Sequence, residues 1–313
     1  MHTLHHLLTL AACVQAAIRG FNSGGTGPNG IKHAADFRKE FDRIRTLPGT
    51  DPFTSIRLFS TIQAGTVNDP VEAFQPAIDT KYTTLLLGLW ASAGQEAFNN
   101  ELAALKKAIA AHQTHWKDIV VGISVGSEDL YRITPTGIGN KENVGVGPGV
   151  IVDYIKQTRA AIKGTVAEGT KVGHVDTWTA WISGSNTAVI DAVDFLGFDG
   201  YPYYEKDTGR NSIKNAQQLF FESYNKTVAV SKGKEVWITE TGWPVSGPQD
   251  FGKSVASIPN AKKYWDDVGC RVFGNINTWW FTLDDAKQDP KEVSFSTIKP
   301  NHGEPLFSLT CPK

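Results

Sequence analysis

Apolar residues along the chain fall into short unbroken runs: Ile18–Phe21, Ser55–Phe59, Thr84–Trp90, Ile119–Val125, Lys171–Val175, Val193–Phe198, Val236–Thr239 and Phe273–Phe281. Runs that are continuous rather than alternating are the pattern of strands buried on both faces of a parallel sheet. Between them lie segments with 3.6-residue periodicity, such as Phe37, Phe41 and Ile44, or Phe98, Leu102, Leu105 and Ile109, or Ile151, Ile155, Thr158 and Ile162. Eight repeats of strand then helix predict a (β/α)8 barrel of the α/β class; an open doubly wound sheet usually has fewer strands. With no low-complexity tract, charge block or Pro/Ser-rich linker, residues 18–313 read as a single domain.

The N-terminus adds a separate signal. An apolar run from Leu7 to Val14 leads into Ala16 and Ala17, with basicity supplied only by His2, His5 and His6. The run is shorter than the roughly 20 residues that cross a bilayer, so residues 1–17 are expected to be a cleaved secretory signal, the alternative being a buried N-terminal segment. No later stretch is long and apolar enough to span a membrane, and the mature product is expected to be secreted, extracellular or in a cell wall. Cleavage near Ala17 removes Cys13 and leaves Cys270 and Cys311, which suggest one disulfide between the last helix and the tail; two unpaired buried thiols are the alternative. Asn225-Lys226-Thr227 is the only N-glycosylation sequon. A 41% hydrophobic content excludes disorder, and 31 Lys plus Arg against 32 Asp plus Glu give no bulk attraction to nucleic acid or anionic membrane. A monomer with neither as partner is expected.

In a barrel, catalytic groups sit at the C-terminal strand ends. Those positions hold Asn22, Arg57, Glu128 with Asp129, Asp176 with Trp178, Asp199 with Tyr201, Glu240, and Asp284. Glu128 and Glu240 stand out because each ends an apolar strand, where an ionised group without partners is costly. Strands four and seven approach across the mouth, so the two carboxyl groups could flank one glycosidic bond, as glycoside hydrolysis requires. Either Glu could instead pair with Arg57 or Lys287 and only close the mouth. Trp178, Trp181, Tyr201, Tyr203, Trp243, Trp279 and Trp280 fall at or beyond strand ends, which suggests a carbohydrate cleft, although such rings often only pack loops. Tyr131, Trp178 and Trp181 could form an aromatic acceptor platform. The histidines show no metal-ligand spacing, and Gly137-Ile138-Gly139 lacks the context of a dinucleotide site, so neither a metal nor a nucleotide cofactor is expected.

The segments Gly126-Ser127-Glu128-Asp129-Leu130-Tyr131-Arg132, Asp199-Gly200-Tyr201-Pro202-Tyr203-Tyr204 and Thr239-Glu240-Thr241-Gly242-Trp243-Pro244 resemble glycoside hydrolase family 17, in particular its fungal cell-wall branch of β-1,3-glucanases and glucanosyltransferases. The resemblance runs over essentially the whole mature chain. It implies that Glu128 is the acid/base and Glu240 the nucleophile of a retaining mechanism on β-1,3-glucan, with transfer to a sugar acceptor beside hydrolysis. It further implies that Tyr201 sits beside the nucleophile, that Asp199 touches substrate, and that Asp284 with Lys287 supports the centre from the eighth strand. Asn22, Arg57, Ser127, Tyr131, Trp178, Trp181 and Trp243 complete the expected substrate-binding set. Two positions depart from the family pattern: Phe59 stands where an aromatic hydroxyl is usual, and Ser127 where relatives of the wider clan have Asn. A plain endo-β-1,3-glucanase, a noncatalytic glucan-binding wall protein and an unrelated open-sheet enzyme are the competing readings. The last should carry a glycine fingerprint, which the sequence lacks.

Overall fold

The computed structural model describes residues 16–27, 29–142, 144–248, 251–285 and 292–312. The expected signal therefore lies almost wholly outside the described residues, as does Lys287. Eight parallel strands close into a barrel: β1 (Arg19–Ser23), β2 (Ser55–Leu58), β3 (Thr84–Leu89), β4 (Val120–Ser127), β5 (Val172–Thr177), β6 (Phe195–Asp199), β7 (Glu235–Glu240) and β8 (Thr278–Trp280). Each of the eight apolar runs contributes one. The longer helices are α1 (Ala34–Arg45), α2 (Phe74–Thr80), α3 (Gln95–Ala111), α4 (Pro148–Ile162), α5 (Thr187–Ala192), α6 (Ile213–Val230) and α7 (Ile258–Tyr264). Their inward stripes are the periodic ones: α3 buries Phe98, Leu102, Leu105 and Ile109, and α4 buries Ile151, Ile155, Thr158 and Ile162.

The eighth strand is the main departure. The run Phe273–Phe281 yields only three strand residues, because Cys270–Val272 is the last helical turn and Phe273 packs its ring on Trp265 and Trp280. Cys270 on that turn is bonded to Cys311, which fastens the C-terminal tail to the barrel wall. The free-thiol alternative is thereby set aside.

Inside the lower half of the barrel, Leu86, Phe195, Trp237 and Trp279 form a plug separate from the helix–sheet core. Phe195 stacks on Trp237 at 3.8 Å between centroids, and Trp237 meets Trp279 at 5.7 Å. Rings this large fit only because glycine occupies neighbouring strand positions. A Cβ on Gly20 would collide with Trp279 and one on Gly173 with Phe195, and a Cβ on Gly122 would stand 3.1 Å from Trp237. Above the plug the interior turns polar.

Candidate active site

The polar layer begins with Arg57, which points inward from β2 and is fully buried. Its Nη1 donates to Glu240 Oε1 at 2.5 Å and to Asn22 Oδ1 at 2.7 Å, and its Nη2 donates to Ser127 Oγ at 3.0 Å. Asn22 in turn donates through Nδ2 to the carbonyls of Thr239 and Trp279. A buried cation is tolerated only when paired and hydrogen-bonded, and one planar guanidinium here braces β1, β4 and β7. Phe59 lies beneath it, 5.0 Å from guanidinium carbon to ring centroid, so the position expected to carry an aromatic hydroxyl packs a cation instead.

Glu240 is the last residue of β7. The β6–β7 register slips between Phe198 and Asp199, which sets Asp199 beside Glu240. Tyr201 Oη donates to Glu240 Oε2 at 2.7 Å, so both carboxyl oxygens are fixed. The Tyr201 ring is held edge-on by Phe281 and Phe295. Burial, and next the charge of Glu240, raise the Tyr201 hydroxyl well above its usual pKa, which keeps it a donor. The same two causes push Asp199 well above the carboxylate range. Its Oδ1 accepts from Thr239 Oγ1 at 2.7 Å.

Glu128 follows a second irregularity, in the β4–β5 register between Ser124 and Ser127. Such slips re-aim side chains at barrel rims. Glu128 itself adopts the left-handed conformation, φ 57°, uncommon for a residue with a Cβ. The turn around it supplies the compensation. Asp129 accepts from Ser127 N at 2.8 Å and from the Ser92 hydroxyl, and Asp176 accepts from Leu130 N at 2.9 Å. Beneath this turn, the ring nitrogens of buried His174 lie 2.6 Å from the Val125 carbonyl and 3.0 Å from Asp176 Oδ2, both acceptors. Against burial, which lowers it, the hydrogen bond and charge of Asp176 raise the His174 pKa, as suits an imidazolium that donates twice.

The two glutamates end in different electrostatic states. Removal from water, then the charge of Glu240, push the Glu128 carboxyl up to about 8, with Arg132 opposing. Glu240 carries an ion-paired cation at hydrogen-bond distance instead. The centre can therefore offer a proton from one carboxyl and a paired carboxylate from the other.

The remaining expected site residues divide by position. Tyr131 and Trp178 are half-exposed beyond β4 and β5. Trp178 Nε1 donates to Glu205 at 2.6 Å, and Lys226 lies over its ring at 4.2 Å. Trp181 and Trp243 do not line the cleft, contrary to expectation. Trp181 is buried, donates to the Gly197 carbonyl and packs edge-on against His174; Trp243 is buried between Tyr203 and Tyr264 and donates to the Val255 carbonyl. Asn22 and Arg57 are likewise buried and bond to one another, with Arg57 bonded on to Glu240. Asp284 stands to one side, lining a small cavity with Lys32, Glu40 and His302. Beside the centre, the ends of β1, β2 and β3 enclose a larger hollow of about 370 Å³ with Phe59, Gln63 and Trp90 in its wall. Trp90 and Arg132 were not among the expected site residues, although Arg132 ends the Gly126–Arg132 segment that carries the family resemblance. Among the described residues, no cluster of His, Cys, Asp or Glu could hold a metal ion.

A closed parallel barrel with one glutamate ending strand seven in an ion pair with Arg57 and another just past strand four is the arrangement expected of a glycoside hydrolase. The chain belongs to the BtgE/BtgC glycoside hydrolase domain family, whose model matches residues 21–296. It is 53% identical over 311 residues, 98% of this chain and 69% of the other, to a probable glucan endo-1,3-beta-glucosidase of Aspergillus fumigatus. It spans 66% of the corresponding Aspergillus oryzae protein, so it covers about two thirds of the length of these relatives. Among solved structures it is similar to the glycoside hydrolase family 17 beta-1,3-glucanosyltransferase of Rhizomucor miehei, with a TM-score of 0.72 and 26% identity over 92% of this chain and 95% of that one.

Proposed function

We propose that this chain is a retaining β-1,3-glucan-active enzyme that cleaves through a covalent glycosyl-enzyme on Glu240 and passes the glycosyl unit to a sugar acceptor, with hydrolysis alongside. The single observation that carries the reading is how differently the two carboxyls are held: Glu240 is ion-paired with Arg57 at 2.5 Å, whereas Glu128 has, among the described residues, no cation nearer than Arg132 at 3.6 Å, and burial pushes its carboxyl up to about 8. In the first step Glu128 gives its proton to the glycosidic oxygen as a Glu240 oxygen bonds to the anomeric carbon, and the leaving sugar departs. In the second, the Glu128 carboxylate takes a proton from an acceptor hydroxyl, whose oxygen displaces Glu240. This course predicts a separation of about 5–5.5 Å between the two carboxyl groups, since an intervening water would need a wider gap.

The substrate class is taken from the names of the relatives. An active-site mutant of the Rhizomucor miehei enzyme, 27% identical to this chain, forms a complex with laminaritriose. Acceptor transfer fits the half-exposed Trp178, which Glu205 and Lys226 hold in place beyond β5. Hydrolysis without transfer is the second reading, and the glucosidase names of the Aspergillus relatives favour it. Residues 1–17 as a removed signal, residues 18–313 as a secreted catalytic domain, and glycan attachment at the exposed Asn225 complete the proposal.

Two measurements test it. Incubation with a β-1,3-linked pentasaccharide at millimolar concentration should give products longer than the substrate; only shorter products at every concentration would leave a plain hydrolase. Glu128→Gln should lose turnover on glucan yet form the glycosyl-enzyme from an activated aryl glycoside, whose leaving group needs no proton, whereas Glu240→Gln should not. The reverse pattern would exchange the two roles.

A further inference from the structure

Arg132 is the one cation within ion-pair reach of Glu128 among the described residues, and nothing above gives it a part in the reaction. Its side chain is 9% exposed. Nη1 donates to the Ser127 carbonyl at 2.5 Å, Nη2 lies 3.6 Å from Glu128 Oε2, and the guanidinium carbon stands 5.3 Å over the Trp90 ring. Two glycines close the other sides: a Cβ on Gly137 would lie 2.9 Å from Arg132 Cα, and one on Gly145 2.7 Å from Arg132 Cβ.

We propose that Arg132 is the positioning residue of Glu128, with one guanidinium clamping the irregular end of β4 and facing the Glu128 carboxyl. The proposal rests on the acid/base reading of Glu128 and deepens it. The distances explain why the pair is built loosely. At 2.5 Å, Arg57 occupies a lone pair of Glu240. At 3.6 Å, Arg132 acts on Glu128 by charge without a hydrogen bond, so the carboxyl keeps its oxygens and proton for the glycosidic oxygen. The Ser127 carbonyl sits where the β4–β5 register breaks, and Arg132 provides it with a donor. Carbonyl, carboxylate and indole face are three demands that a planar fork meets and an ammonium does not.

Beyond burial, the groups acting on Glu128 come from several elements: Glu240 at the end of β7, Asp176 on β5 and Glu142 in the loop between β4 and α4 raise its pKa, and Arg132 lowers it. Loss of Arg132 therefore strengthens the hold of Glu128 on its proton. The test is the pH profile of kcat/KM on β-1,3-linked oligosaccharides for Arg132→Gln, Arg132→Met and Arg132→Lys. Either neutral variant carries the result if the other does not fold, with circular dichroism as the check. The alkaline limb should move up by about 1 pH unit in Gln or Met. Their kcat should fall at least tenfold on glucan, with a smaller loss on an activated aryl glycoside. Arg132→Lys should leave the limb in place while kcat falls. Folded neutral variants whose limb does not move would overturn the proposal and leave Arg132 a packing residue. Glu128→Gln serves as the control: if the alkaline limb survives in it, the acid/base reading fails, whatever the Arg132 variants do.

Discussion

Arg57 and Glu240 form a buried ion pair at 2.5 Å across the barrel mouth, one from β2 and the other from β7. Removing one partner of such a pair leaves an uncompensated charge and costs about 3–5 kcal/mol. Arg57→Met should lower the free energy of unfolding by that order in urea titration and reduce kcat/KM more than a hundredfold. Arg57→Lys should fall between, because an ammonium restores the charge but cannot hold Asn22, Ser127 and Glu240 together.

Tyr201→Phe keeps the ring, with its Phe281 and Phe295 neighbours, and removes only the hydroxyl that donates to Glu240. A hydrogen bond to a charged group contributes roughly 1.5–3 kcal/mol, so kcat should drop by about 10–150-fold with KM little changed. A rise in KM at constant kcat would mean that the hydroxyl contacts the sugar instead.

Glu101 on α3 accepts from Ser60 Oγ at 2.6 Å and Thr61 N at 3.0 Å, and burial pushes its carboxyl up to about 7. A carboxyl whose folded pKa exceeds its unfolded one favours the folded state at low pH, and that contribution is lost as pH rises through 7. Unfolding free energy should therefore decline between pH 5 and 8. Glu101→Gln should flatten part of that decline in denaturant titrations; Glu128, raised to about 8, adds to it with the same sign.

Trp178→Ala should shift the balance of products from transfer toward hydrolysis, with stability nearly unchanged because the ring is half-exposed. Trp181→Ala should do the opposite. Its ring is buried, so truncation costs about 3–5 kcal/mol through a cavity, and product lengths in surviving protein should stay those of the parent.

The Cys270–Cys311 bond closes a loop with a sequence separation of 41. Chain entropy assigns it about 4 kcal/mol. The double Cys→Ser variant should unfold at a clearly lower temperature; an unchanged Tm would mean that tail packing, such as Trp265 on the Leu309 carbonyl, holds the tail alone.

The barrel was legible because a strand covered on both faces has little choice but to be apolar throughout, and every such run became a strand. The two carboxylates were legible for the related reason that an acid at the end of such a run needs an explanation. Aromatic roles were not. Trp178 and Trp181 are three residues apart on one helical turn, and which ring is buried depends on where that turn leans, not on its composition. Arg132 was hidden in the same way. Its value comes from Ser127, Glu128 and Trp90 meeting in space, and Trp90 comes from a different strand. Arg57 was read both as a ligand for sugar and as a partner for one of the glutamates; the closed barrel makes the pairing with Glu240.

The plug of Phe195, Trp237 and Trp279 has a consequence for how such a chain can change over generations. It splits the barrel interior into two tenancies, rings fitted against glycine below and a web of polar bonds above, which meet where Asn22 bonds to the Trp279 carbonyl. Loops above the web can be lengthened, shortened or rewritten without altering the volume the rings must fill. Appetite for one glucan or another can drift while the foundation stands still. A lesion at Trp237 would be felt as fewer folded molecules, each with the tastes of its parent.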